Sequence, residues 1–93
     1  MIKLNEYYNG KVKSLGEELN GEPFTVGIIE PGEYEFETSK EEHMKIVHGK
    51  LEALLPDKKD YNTYTPGKEF IVPPNKKFKV RVEHPVAYLC IYK

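Results

Sequence analysis

Two histidines and two adjacent glutamates fall within Ser39–Leu55, SKEEHMKIVHGKLEALL. Imidazoles and carboxylates at close spacing can hold a transition metal or exchange a proton with a substrate. A metal needs several ligands converging on one point. His43 and His48 are five residues apart. On a strand that odd separation puts them on opposite faces. On a helix it turns them about 140° apart. Neither geometry lets the pair chelate without a bulge. His84 precedes Pro85 in a turn-like stretch, and Cys90 has no second cysteine beside it. Exposed histidines and a solvated Glu41–Glu42 pair are therefore the plain expectation for these residues.

The elements that position them decide the matter. Turn signals punctuate the chain at Asn9-Gly10, Asn20-Gly21, Pro31-Gly32, Pro56-Asp57, Pro66-Gly67 and Pro73-Pro74-Asn75. Between them lie short period-two segments. Thr25–Ile29 is one, Glu33–Glu37 alternates charge with aromatic, and Phe78–Glu83 alternates apolar with charged. Ala87–Tyr92 is apolar throughout. Such spacing predicts an all-β sandwich or barrel. The 39–55 segment fits helical and strand periods alike. Gly49 is costly inside a helix but useful in a turn, so the spacing predicts two paired strands bent at Gly49.

The chain has 93 residues, which predicts one domain over 1–93 with a modest core. Fourteen basic against fifteen acidic side chains, a formal net charge of −1, leave no basic excess for a nucleic-acid backbone. No apolar run approaches the ~18 residues of a membrane span, and MIKLNEYYNGK lacks the apolar core of a signal peptide. One cysteine fits a reducing compartment. A cytoplasmic protein with neither membrane nor nucleic-acid partner is the expectation.

Two patterns then align. Gly32, Thr38, Lys40, Glu42 and Gly49 follow the spacing of the first cupin motif, G-x5-H-x-H-x(3,4)-E-x6-G, with a shortened spacer before Glu42. Gly67, Pro73, Asn75, Phe78 and Val82 follow the second, G-x5-P-x-G-x2-H-x3-N. Thr38, Lys40 and Phe78 stand where the motif has metal-binding histidines, and Glu42 alone keeps its ligand type. The chain resembles a cupin barrel that has lost its metal site. More closely, NEYYNGKVKSLG, EPGEYEFET, LLPD, FIVPPN and YLCIY resemble the pyrimidine/purine nucleoside phosphorylases, small single-domain metal-free cupins. The resemblance spans about Asn5 to Tyr92.

That resemblance implies an all-β cupin double-stranded β-helix and a homodimer. It also implies cleavage of purine and pyrimidine nucleosides by inorganic phosphate, giving free base and α-D-ribose 1-phosphate. No cofactor is implied, since phosphate is a co-substrate. In the cupin register Thr38 and Glu42 face inward, with Tyr34 and Phe36 sharing the parity of Thr38 and Met44 that of Glu42. Phe78, Val80 and Val82 form one strand face, and Tyr88, Cys90 and Tyr92 another. The expected roles are Glu42 and Thr38 as catalytic residues, the first toward the ribose hydroxyls or anomeric carbon, the second toward phosphate or ribose. Tyr34, Met44, Phe78 and Tyr88 are expected to bind the nucleoside, and Lys13 and Lys40 the phosphate. A cupin module that binds a nucleoside or other small metabolite without turnover is the alternative.

Overall fold

The computed structural model describes residues 1–93. Ten strands form, with no helix: β1 Lys3–Tyr7, β2 Val12–Leu19, β3 Glu22–Ile29, β4 Gly32–Glu37, β5 Glu42–His48, β6 Leu51–Leu54, β7 Asn62–Tyr64, β8 Glu69–Val72, β9 Lys77–Val82 and β10 Val86–Tyr92. No helix is long and apolar enough to cross a membrane. The strands build two antiparallel sheets, ordered β1-β2-β3-β10-β5-β8 and β4-β9-β6-β7.

Alternation along each strand sends one set of side chains between the sheets. In β9 the burial alternates strictly, with Phe78, Val80 and Val82 inside and Lys77, Lys79 and Arg81 outside. In β10 the buried set is Val86, Tyr88 and Cys90. Fifteen buried apolar residues form one cluster, with Ile29, Ile46, Leu51 and Val80 among the most enclosed.

Turn chemistry sets the register. Leu19 opposes Glu22 across Asn20-Gly21. Both turn residues have positive φ, 52° and 79°, as a two-residue type I′ hairpin requires. Gly49 has φ +90°, and a Cβ there would lie 2.8 Å from the Pro85 carbonyl oxygen. The turn at Gly49 is thus as expected, but the strands it joins are not paired with each other. β5 belongs to the six-stranded sheet and β6 to the four-stranded one. Gly49 carries the chain across the sandwich rather than closing a hairpin.

Between β5 and β10 the register shifts, so that Ala87 opposes His48 while Tyr88 opposes Ile46. The bulge leaves Val47 unopposed. It lies near the Gly49 crossover, away from the cavity end of β5, where Glu42 opposes Tyr92 and Met44 opposes Cys90.

Candidate active site

A cavity of about 440 Å³ opens between the sheets, in the size range of small-molecule sites. The six-stranded sheet contributes Ser14 from β2, Glu42 and Met44 from β5, and Tyr88, Cys90 and Tyr92 from β10. Phe36 of β4 and Phe78 of β9 face them from the other sheet, and Tyr7 and Tyr8 at the end of the β1–β2 hairpin form a side wall.

Backbone geometry explains why these side chains meet. Tyr8, Asn9 and Gly10 all have positive φ, so the hairpin turns tightly, and Tyr8 meets β4. The Tyr8 hydroxyl donates to the Glu35 carbonyl and accepts from the Glu35 N–H at 3.2 Å. It thereby pairs the backbone of edge strand β4 to the other sheet. The Tyr8 ring lies edge-on to Tyr34 at 5.1 Å and to Phe36 at 5.9 Å. On the opposite wall Tyr88 lies over Gly27 of β3. A Cβ at Gly27 would come within 2.7 Å of the Tyr88 ring and of the Lys13 carbonyl oxygen, so only glycine lets the ring approach that strand so closely.

Glu42 is the half-buried carboxylate of the cavity. Burial raises its pKa above the ordinary glutamate value, and the Cys90 thiol, which donates to Oε1 at 3.6 Å, works the other way. Cys90 is itself pushed up by burial and by the Glu42 charge, so it remains a neutral donor at pH 7. Tyr88 is pushed up to about 12, by burial first, with the Ser14 hydroxyl opposing. Burial also raises Tyr92, whose hydroxyl lies 3.1 Å from Thr25 Oγ1. The interior polar atoms are therefore neutral hydroxyl and thiol groups around one carboxylate. Glu35 and Glu37 also line the rim, and no lysine, arginine or histidine lines the cavity.

Of the residues singled out from sequence, Glu42, Met44, Phe78 and Tyr88 line this cavity together. The other four do not. Thr38 is buried, as its inward parity predicts, but its hydroxyl is engaged elsewhere. It donates to the Pro73 carbonyl at 2.7 Å and accepts from the Lys76 N–H at 3.1 Å. This corrects the expectation that Thr38 donates to phosphate or ribose: it ties the β4–β5 loop to the β8–β9 turn. Thr38→Val should cost about 1–3 kcal/mol by leaving those two backbone groups without this partner. Thermal melting should register the loss, with the affinity for nucleoside unchanged.

Tyr34 gives its hydroxyl to the Glu30 carbonyl at 2.7 Å and its ring to Tyr8 and Phe36. It belongs to the core behind the cavity wall. Lys13 lies on the outer face of β2, 3.6 Å from Glu6, which corrects its expected place at a phosphate. Lys40 is exposed in the loop joining β4 to β5, and both ends of that loop, Glu37 and Glu42, line the cavity.

The two adjacent glutamates part company. Glu41 pairs with His43 at 2.6 Å, on the side of β5 away from the cavity, while Glu42 turns inward. No three His, Cys, Asp or Glu side chains converge anywhere in the chain. Glu42 has only the Cys90 thiol beside it, and that thiol holds its proton. This donor set does not fit the metal that the cupin motif ordinarily carries.

Sequence reasoning did not assign Tyr7, Tyr8, Ser14, Glu35 or Glu37 to the site. Strand parity with Val12 carried the signal for Ser14. Two tyrosines directly before Asn9-Gly10 carried it for the hairpin wall.

Comparison with known proteins bears on what this cavity serves. The family model described as pyrimidine/purine nucleoside phosphorylase matches residues 2–92. A protein of that name from Tolumonas auensis is 45% identical over 93 residues, covering all of both chains. The crystal structure of a protein of unknown function from Vibrio parahaemolyticus superposes with a TM-score of 0.96 at 41% identity, over 100% of this chain and 99% of that one. A cupin superfamily protein from Desulfitobacterium hafniense, at 15% identity, shares the fold with a TM-score of 0.72 over 95% of this chain and 82% of its own. The fold is a cupin, and the chain belongs to the pyrimidine/purine nucleoside phosphorylase family.

Proposed function

We propose that the protein cleaves purine and pyrimidine nucleosides with inorganic phosphate, releasing free base and α-D-ribose 1-phosphate. Family membership supports the activity. The observation that carries the assignment to this cavity is Glu42, a half-buried carboxylate facing an aromatic-walled space of nucleoside scale.

In phosphorolysis a phosphate oxygen forms a bond to the anomeric carbon as the glycosidic bond breaks. The electron pair leaves with the base nitrogen, which then takes a proton. The pentose passes through an oxocarbenium-like state, and no side-chain nucleophile is needed. Ionised Glu42 accepts hydrogen bonds from the ribose hydroxyls and favours positive charge at the anomeric carbon. Tyr88 supplies a stacking face on which one base is much like another, and Met44 and Phe78 complete an apolar wall that excludes water. Phosphate requires a cation that the cavity lining lacks. Lys40 is the candidate, on the short loop that joins Glu37 at the rim to Glu42 inside the cavity, and Thr38 anchors that loop.

The test is base release from a panel of ribonucleosides. Release should depend on added phosphate and survive a chelator. Lys40→Ala should raise the KM for phosphate about tenfold while leaving the nucleoside KM within about twofold. Equal release without phosphate would overturn the reaction class. The absence of a cation in the cavity favours one rival, a module that binds nucleosides without turnover. Saturable binding with no product on long incubation would establish it.

A further inference from the structure

The cavity joins two features that together discriminate by charge. Six of its fourteen lining residues are aromatic: Tyr7, Tyr8, Phe36, Phe78, Tyr88 and Tyr92. Its inward carboxylate, Glu42, has the neutral Cys90 thiol as its polar partner and no cation beside it. Glu35 and Glu37 are exposed along β4 and leave Glu42 as the interior charge.

Strand β10 sets the geometry. Tyr88, Cys90 and Tyr92 alternate onto the cavity face of that strand, with neighbours on the face ~6.8 Å apart. The thiol in the middle donates to Glu42 Oε1 at 3.6 Å, and Glu42 opposes Tyr92 in the register. The carboxylate is thus held at the centre of a face with a tyrosine on either side. Neither tyrosine is packed against another ring. An aromatic face attracts a cation brought within about 6 Å of its centre, and a ring of such faces recognises organic cations. Burial is the main cause that raises the Glu42 pKa. A cation placed beside the carboxylate offsets that penalty.

Leaving-group chemistry agrees. A neutral nucleoside loses its base as an anion, which must be met by a proton. No histidine, lysine or arginine lines the cavity. Burial first, and the Glu42 charge among the further causes, hold the protons of Cys90, Tyr88 and Tyr92 in place. A base that already carries positive charge on its ring needs no such proton. A phosphate oxygen bonds to the anomeric carbon, the electron pair of the broken C–N bond returns to the ring nitrogen, and the base leaves neutral. One positive charge on the nucleoside cancels one negative charge of hydrogenphosphate, so the products balance. Phosphate gains as well, because the bound nucleoside supplies the positive charge that the lining lacks.

We infer that this cavity takes nucleosides whose base ring carries a fixed positive charge, pyridinium ribosides and N7-alkylated purine ribosides, in preference to neutral ones, with Glu42 and the tyrosines of β10 reading the charge. That these nucleosides are cleaved rests on the phosphorolysis reading above; that they bind preferentially does not.

Binding is measured without phosphate, so that nothing turns over. The probes are N-ribosylnicotinamide and its dihydropyridine form, which has nearly the same shape and no charge. Titration calorimetry should give the charged riboside a Kd at least about tenfold lower. Glu42→Gln should shrink that ratio to within about threefold, whatever it does to the ribose contacts that both probes share. Choline, a cation without ribose, should bind at least about tenfold more weakly than the charged riboside. With phosphate added, wild type should release nicotinamide with a kcat/KM about 100-fold or more above that for uracil from uridine, the usual worth of the proton transfer that the charged base does without. Equal affinities for the two probes overturn the inference, and this ratio on wild type depends on no variant folding. A ratio that Glu42→Gln leaves unchanged overturns the part given to Glu42. Choline bound as tightly as the riboside overturns the nucleoside as the ligand. Charge-selective binding of the riboside with no base released would uphold the preference and overturn phosphorolysis. Uracil released as fast as nicotinamide would uphold phosphorolysis and overturn the preference.

Discussion

Glu42→Gln should lower kcat/KM for phosphorolysis by about 100- to 1000-fold, the usual loss when one preorganised charge-stabilising group is removed, while raising the melting temperature by a few degrees. The two effects have one origin. Burial raises the Glu42 pKa in the folded chain, so ionised Glu42 is less comfortable folded than unfolded. Between the ordinary glutamate value and the raised one, the folded state binds more protons. Stability therefore falls as pH rises through that window, and the penalty persists at neutral pH. Glutamine keeps the shape and can still accept from Cys90, but carries no charge to desolvate. The wild-type melting temperature should thus drop from acid toward neutral pH by more than that of the variant. The catalytic pH profile should lose its acid limb in Glu42→Gln, because that limb reports ionisation of the same carboxyl. Unchanged turnover would remove Glu42 from the mechanism. A lowered melting temperature at neutral pH would contradict its desolvation.

How far such a site is legible in the sequence depends on which contact each residue needs. Glu42, Met44, Phe78 and Tyr88 follow from strand parity, because alternation is a local property and all four lie on strands whose inner face is plainly apolar. Thr38 obeys parity as well, but what its hydroxyl meets is Pro73, 35 residues away, and no local pattern encodes that. Lys13 is expected at the phosphate, although what places it on the outer face is its inward neighbour Ser14. Glu35 and Glu37 have outward parity yet reach the rim, because β4 is an edge strand and its flank is open to the cavity. Tyr8 is the hardest case. Its place depends on a hydroxyl joining edge strands of two different sheets, which exists only after both are built. The same holds for Gly49, where the turn is local but the change of sheet is not.

Phe78→Ala is the other large effect, and it falls on stability. Phe78 is 3% exposed, 5.7 Å from Phe36 and 6.0 Å from Phe70. It links the rings of Tyr8, Tyr34 and Phe36 to those of Phe70 and Tyr64. Truncation should cost about 3–5 kcal/mol, against a total of about 5–15 kcal/mol for a domain of ordinary stability. At ~4–8 °C per kcal/mol for a chain this size, the melting temperature should fall by roughly 15 °C or more. Phe78→Leu separates packing from recognition, because it preserves most of the volume at a cost under about 1.5 kcal/mol but removes the aromatic face. Tyr88 has no other ring packed on it and rests on Gly27, whereas Phe78 already has two rings against it. Phe78→Leu should therefore keep the nucleoside KM within about twofold, while Tyr88→Leu raises it about tenfold, the worth of one lost base stack. If Phe78→Leu instead weakens nucleoside binding as much as Tyr88→Leu while melting near wild type, the base stacks on Phe78.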